Sequence, residues 1–439
     1  MYIKVTGLYI GQGMSNLVEV YENRADATAA NPVFKGLVLI DCGTFGKDGR
    51  QAHAPNEPDR PIALDYIERK IRQNNGALTA LVLSHLDQDH INKIIRLTGE
   101  RQDGPLQQIG TVLIGGTAKK FNAQKNVFKG GTGVAGLSSI ARKMAVALKR
   151  ICNNIRIFSV IDGYVQKDCN FLDFIGTTAG NQDELRFRIL ANRSLPALKN
   201  GDDLYINGNS AVIVAEYVHP QGGHFAFLFT GDATDDTFAY MNKRLAKFST
   251  KYTFLNAAKK VLMLPHHGAV RTACPDGKMT NRDTLADQLA QATTFADTVA
   301  ATHVFASAHY NAKRFSHPNM DVFDIFSAHA DAAANHENFG FRVRVDGGGV
   351  PIPAPAGGFP SYGLFTIDST KEAYTAHTII TRTQPRPPDP PFSKPLVSYT
   401  SAKGGAFRIT NLPAADHRFY SLISEVENGV FNSVISQIL

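Results

Sequence analysis

Apolar residues fall into two groups of short runs, separated by polar stretches rich in glycine and proline. In the first group, YIKVTGLYI (2–10) and LVEVYE (17–22) alternate with a period of two. GLVLIDCG (36–43), LTALVLS (78–84) and TVLIGG (111–116) are short continuous runs. Both patterns predict strands, the continuous ones buried. Ile62, Tyr66, Ile67 and Ile71 recur at helical spacing until Asn74-Asn75-Gly76 stops the helix. The second group begins with DDLYI (202–206), SAVIVAEYV (210–218) and HFAFLFTG (224–231), the last two forming a hairpin across 220–223. A helix after Asp232, a strand VLMLP (261–265), a helix near 281–300, a strand HVFASA (303–308) and a helix over 321–334 follow. Between the groups, LSSIARKMAVALKRI predicts a helix over 137–151, inside an insertion spanning about 117–156. Two groups of strands with interspersed helices predict an α/β (α+β) chain, two sheets sandwiched by helices over residues 1–345. Beyond 346, the Pro- and Gly-rich 347–360 and 383–395 read as linker, and the last forty or so residues as a small extension or edge strands.

Composition narrows the class. At 439 residues, 43% hydrophobic and 19% charged, the chain can bury a large core, which excludes wholesale disorder. No stretch approaches the roughly 18–20 apolar residues of a membrane span, and the first residues alternate like a strand rather than a signal peptide. Cys42, Cys152, Cys169 and Cys274 form no CxxC pair. The expectation is a reduced, cytoplasmic protein with no membrane and no disulfide-linked partner. The net charge of +7 is unevenly spread: 104–161 holds no Asp or Glu but nine Lys and Arg, and 237–275 holds none but seven. Such runs concentrate polyanions at a surface.

The chemistry gathers where strands end. His85-Leu86-Asp87-Gln88-Asp89-His90 follows a buried strand directly, with four metal-ligating side chains in six residues. Carboxylates flanked by imidazoles at the mouth of a core strand carry a solvation cost that a cation relieves. Phe229-Thr230-Gly231-Asp232 and Pro265-His266-His267-Gly268 close two further strands. His219 and His224 read as turn residues of their hairpin.

In this order, HLDQDH, FTGD and PHHG resemble the metallo-β-lactamase-fold hydrolases. The HxDxDH variant resembles the branch containing the hydrolase domain of the DNA-uptake competence protein ComEC. Gly11-Gln12-Gly13, Leu39-Ile40-Asp41-Cys42-Gly43, Asn209-Ser210 and the segment from Ser307 through Asn311 to His317-Pro318 agree with it, over about residues 1–330. The resemblance implies an αββα metallo-β-lactamase sandwich, here with a basic insertion and a Pro-rich C-terminal extension, and two divalent metal ions, zinc or manganese. By position, His85, Asp87 and His266 would hold the first metal, Asp89 and His90 the second, and Asp232 would bridge them. His267 is the alternative to His266. Asp87, where commoner members carry His, makes a harder donor set that favours manganese or a mixed site over tight zinc alone. Asp89 would orient the nucleophile, His317 would contact the phosphate or protonate the leaving oxygen, and Asn311, Lys313 and Arg314 would bind substrate phosphates. The expected activity is that of a two-metal phosphodiesterase or nuclease acting on nucleic acid through a metal-bound hydroxide. A hydrolase of a small phosphoester, cyclic nucleotide, lactone or thioester is the alternative, and a metal-stabilised binding module without catalysis the third.

Overall fold

A computed structural model describes residues 1–8, 10, 13–44, 62–99, 103–115, 139–152, 154–157, 162–165, 170–176, 182–192, 210–275, 285–308, 322, 325–326, 328–329, 343–344, 363–367, 398–400, 406–408 and 420–437. Strands β1 (Tyr2–Gly7), β2 (Ser15–Tyr21), β3 (Phe34–Cys42), β4 (Ala77–Leu83), β5 (Gln108–Ile114) and β6 (Ile155–Ile157) lie side by side in one sheet. The first three run antiparallel, and β3 to β6 run parallel. Their helices are α1 (Arg24–Thr28), α2 (Ile62–Gln73), α3 (Gln88–Ile91), α4 (Ile94–Thr98) and α5 (Ser139–Ile151).

The second sheet takes β7 (Asn170–Ile175), β8 (Glu184–Ala191), β9 (Val212–Val218), β10 (His224–Phe229), β11 (Lys259–Met263) and β12 (His303–Ala308). It is antiparallel to β10 and parallel from there. Helices α6 (Asp235–Lys247), α7 (Val270–Ala273), α8 (Leu285–Gln288) and α9 (Ala290–Val299) accompany it. The remaining strands are β13 (Val343–Arg344), β14 (Gly363–Ile367), β15 (Ser398–Thr400), β16 (Ala406–Arg408), β17 (Tyr420–Glu427) and β18 (Val430–Gln437). β14 joins the second sheet beside β12, β17 and β18 extend the first beyond β1, and β13, β15 and β16 make a small third sheet.

Strand periodicity fixes the layers. On β3, Leu37 and Leu39 face one core while Val38 and Ile40 face another. Val38 and Ile40 meet Phe187, Ile213, Phe227 and Val261 of the opposite sheet, with Leu422 and Val426 of β17, in the core between the sheets. Leu37 and Leu39 pack with Leu64, Ile67 and Ile71 of α2 and with Met144 and Leu148 of α5. The outer face of the second sheet does the same: Val212, Val214 and Leu228 cover Phe238 and Met241 of α6 and Phe295 of α9. Three cores between four layers make an αββα sandwich, the architecture the resemblance implies. Strands covered on both faces need apolar residues at successive positions, which is why β3 and β4 read as continuous runs.

The helix expected over 137–151 is described from Ser139, and the one near 281–300 is two, α8 and α9. The first expected strand ends at Gly7 rather than residue 10. The apolar pattern predicts none of β6, β7, β8 or β14. Much of the basic insertion, 116–138, lies outside the described residues, as do 202–206 and most of 321–334. Among the described residues no helix is long and apolar enough to cross a membrane.

Candidate metal centre

One edge of the sandwich collects the C-terminal ends of β3, β4, β10, β11 and β12, and the start of β9. In parallel sheets that edge is where ligands bind. Asp41 comes from β3, Ser84 and His85 follow β4, Asp232 follows β10, His266 and His267 follow β11, and Ser307 is in β12. α3 begins one residue after Asp87, so its single turn brings Asp89 and His90 over the same point.

Close backbone approaches hold these turns together. A Cβ on Gly43 would sit 2.4 Å from the Asp89 carbonyl carbon, and one on Gly231 would sit 2.3 Å from Ser210 Oγ. Gly231 also adopts φ +51°, so glycine is required there on both counts. Asp41, His266 and His267 have φ of +54°, +45° and +53°, half of the six non-glycine residues with positive φ among those described. Left-handed backbone at such residues costs about 1–3 kcal/mol each and persists where function fixes it.

Seven side chains converge. His90 Nε2 lies 2.9 Å from Asp232 Oδ1, while His85 Nε2 and His266 Nε2 lie 3.5 and 3.7 Å from Asp232 Oδ2. Asp87 Oδ2 is 3.7 Å from His85 Nε2, and Asp89 Oδ2 is 3.6 Å from His267 Nε2. Two groups have ligand atoms close enough for one ion each: His85, His90 and Asp232, and Asp89, His90 and His267. The floor of the site is sealed, with His85 and His90 0%, His267 1% and Asp232 2% exposed. The Asp87, Asp89 and His266 side chains are 27%, 15% and 18% exposed, so the site opens on their side.

The hydrogen bonds orient each buried imidazole. His90 Nδ1 donates to Asp41 Oδ2 at 2.9 Å, and His267 Nδ1 donates to the Ser307 carbonyl at 3.0 Å. Ser84 Oγ donates its proton to Asp41 Oδ2 at 2.7 Å, so it can accept from His85 Nδ1 at 3.1 Å. Ser210 Oγ stands 3.3 Å from the same nitrogen and accepts from Asp232 N. With each Nδ1 engaged, the Nε2 atoms of His85, His90 and His267 and Oδ1 of Asp232 are buried without a hydrogen bond; the 2.9 Å approach of His90 to Asp232 is not aligned for one. Four orphaned ligand atoms gathered in one buried site are costly unless cations sit among them. Imidazoles held by a carboxylate or carbonyl on the other nitrogen are the arrangement metal sites use.

The charges agree. Burial opposes ionisation of Asp232, but His266, His90 and His85 hold its pKa well below the ordinary value. Asp89 is likewise lowered to about 2: burial works against it, and the neighbouring His267 and His90 imidazoles prevail. Burial favours the neutral form of His90, yet Asp232 and Asp41 keep its pKa well above normal, whereas His266 is lowered, chiefly by burial. Ionised carboxylates interleaved with imidazoles fit divalent cations with mixed oxygen and nitrogen ligands.

The sequence left His266 and His267 as alternatives. The left-handed pair turns both inward, His266 toward Asp232 and His267 toward Asp89, with His267 the deeper. His85, Asp87, Asp89, His90 and Asp232 all join them. His219 and His224 sit at the far end of the β9–β10 hairpin, where His224 Nε2 lies 2.7 Å from Glu216. Asn209, Asn311, Lys313, Arg314 and His317 lie outside the described residues. The orienting roles of Asp41, Ser84, Ser210 and the Ser307 carbonyl were not read from the sequence, although Ser84 directly precedes His85. Asp41→Asn is expected to weaken metal binding about 10–100-fold while the chain stays folded. Competition with a chromogenic chelator, beside a melting curve, checks it; unchanged affinity would make Asp41 purely structural.

Residues 35–103, the segment carrying Asp41 and the HLDQDH turn, match the model of the metallo-beta-lactamase superfamily. The two sheets between helices are consistent with that fold. No curated protein matches the chain. Among solved structures, the chain is similar to the isothiocyanate hydrolase from Delia radicum gut bacteria, at 10% identity over 70% of this chain and 84% of that one, with a TM-score of 0.30. It is also similar to a possible metal-dependent hydrolase from Veillonella parvula DSM 2008, at 11% identity over the same shares, with a TM-score of 0.30.

Proposed function

We propose that the chain is a metal-dependent phosphodiesterase whose substrate is nucleic acid. The observation that carries this reading is the sealed floor of His85, His90, His267 and Asp232, whose orphaned atoms meet the carboxylates of Asp87 and Asp89. Two divalent cations bound there would ready a water for attack at neutral pH and neutralise charge on a phosphoryl oxygen. His85, Asp87 and His266 hold one side of the centre, Asp89, His90 and His267 the other, and Asp232 lies between them. Asp89, ionised and at the open rim, accepts a hydrogen bond from the attacking water and sets its line of approach. His317 is our candidate for protonating the leaving oxygen, with Asn311, Lys313 and Arg314 beside it for phosphate. Three carboxylates among four imidazoles make a harder donor set than an all-imidazole site, which supports manganese or a mixed site over zinc alone. Net charge and the acid-free stretches support a polyanionic substrate.

Cleavage of supercoiled plasmid by the purified protein with Mn²⁺, beside Asp89→Ala and an EDTA control, tests this. Nicking or degradation lost in both controls is the expected result. A metal-loaded protein that leaves plasmid intact but turns over a small phosphodiester or cyclic nucleotide would replace the polymer reading with the small-substrate one.

A further inference from the structure

Helices α4 and α5 flank an open cavity of about 350 Å³, separate from the metal centre. Ala141, Met144, Ala145 and Leu148 form the buried stripe of α5. That stripe turns Arg142, Lys143, Val146 and Arg150 outward. Arg142, Val146 and Arg150 fall at successive four-residue steps, so two guanidinium groups flank one apolar side chain along the helix. Arg142, Lys143 and Arg150 line the cavity. Ile95, Val146 and Ala147 give it an apolar floor, and Val146 is 41% exposed, one of four large apolar side chains so open among the described residues. Gly99 closes one end, where its turn at φ +70° sets Asp103 alongside.

A cationic rim above an apolar floor suits a ligand that is anionic at one point and flat and apolar beside it. Guanidinium groups pair with phosphate in forked geometry, and bases rest on apolar and guanidinium surfaces. The volume, at the small end of ligand pockets, admits a single nucleotide unit rather than a folded partner. Placement favours a polymer: α5 packs against both α4 and α3, and α3 carries Asp89 and His90. A strand held here would lie on the same helical layer as the metal centre.

We propose that the α4–α5 cavity is a backbone seat for a polynucleotide, holding one phosphate and its nucleoside away from the bond that is cut. This rests on the nucleic-acid reading above. The test is fluorescence anisotropy of labelled oligothymidylate with the metal-free full-length chain in EDTA, across a range of salt, so that binding is read without turnover. The expected result for Arg142→Gln/Lys143→Gln/Arg150→Gln is affinity about tenfold weaker and a log–log salt slope shallower by about 2. Arg24→Gln/Arg69→Gln/Arg72→Gln removes the same charge from exposed positions on α1 and α2, outside both acid-free stretches, and is expected to stay within about twofold of the unmodified chain. Equal losses in the two variants, or none in the first, overturn the seat. If melting shows the triple variant unfolded, Arg150→Gln alone decides, with a slope shallower by about 0.7. Unchanged binding in the cavity variant with plasmid still cleaved by the unmodified chain overturns the seat and leaves the phosphodiesterase. Binding lost in the variant with no cleavage by the unmodified chain keeps the seat and overturns the phosphodiesterase. No binding by the unmodified chain overturns the seat, and plasmid cleavage with Mn²⁺ then decides the phosphodiesterase by itself.

Discussion

Asp232→Ala is expected to strip bound metal and to lower hydrolysis of a chromogenic phosphodiester about a thousandfold. Its two carboxylate oxygens face different partners, Oδ1 toward His90 and Oδ2 toward His85 and His266, so one side chain touches both sides of the centre. Losing it removes the negative charge that keeps the imidazoles facing inward and the oxygen ligand between them. Several kcal/mol of charge stabilisation in the transition state go with it, and each 1.4 kcal/mol is tenfold in rate. Asp232→Asn keeps the shape and loses the charge, and is expected to fall nearly as far. Metal content by mass spectrometry, read beside turnover, separates the readings. Full loading with turnover within about tenfold would mean that Asp232 serves the turn after β10 and not the chemistry.

The HLDQDH turn was legible because its ligands are close in sequence and its strand is an unbroken apolar run. What orients those ligands was not, because it arrives from elsewhere in the chain. Asp41 reaches His90 from across 49 positions, and the Ser307 carbonyl reaches His267 from 40 away. That His266 and His267 both turn inward is a backbone matter, set by two left-handed residues in a row that no side-chain pattern announces. β8 hid for another reason. In ELRFRILA, Leu185, Phe187 and Ile189 face the inter-sheet core while Arg186 and Arg188 alternate with them, a period-two signal masked by charge. The Asn428-Gly429 turn between β17 and β18, with φ of +49° and +76°, is a hairpin signal of the kind sequence can carry. That β17 would pair with β1, at the opposite end of the chain, is not.

The largest stability effect is expected at Glu19, outside the metal centre. Glu19 shares the helix-facing side of β2 with Leu17 and is wholly buried. Lys4 stands directly opposite it on β1. From α2, Tyr66 OH donates to Oε1 and Lys70 Nζ lies 2.8 Å from Oε2, one helical turn apart; Tyr21 OH donates to Oε2 at 2.7 Å. Burial alone would raise the Glu19 pKa, but Lys4 and Lys70 outweigh it and hold it below the ordinary 4.5. Glu19→Gln takes from Lys70 and Lys4 the carboxylate between them, leaving Lys4 with Glu425 across on β17, and breaking such a buried pair costs about 3–5 kcal/mol. A carboxylate with a depressed folded-state pKa stabilises fully above its unfolded value and loses that contribution as pH falls through the folded one. Urea melts should therefore show the full gap between the two proteins at pH 7, shrinking below about pH 4.5. Glu216, also held low against its burial by His224, steepens the acid limb of both proteins alike and cancels in the difference. A gap that stays constant down to pH 3 would make the loss one of packing and hydrogen-bond geometry, with charge no part of it.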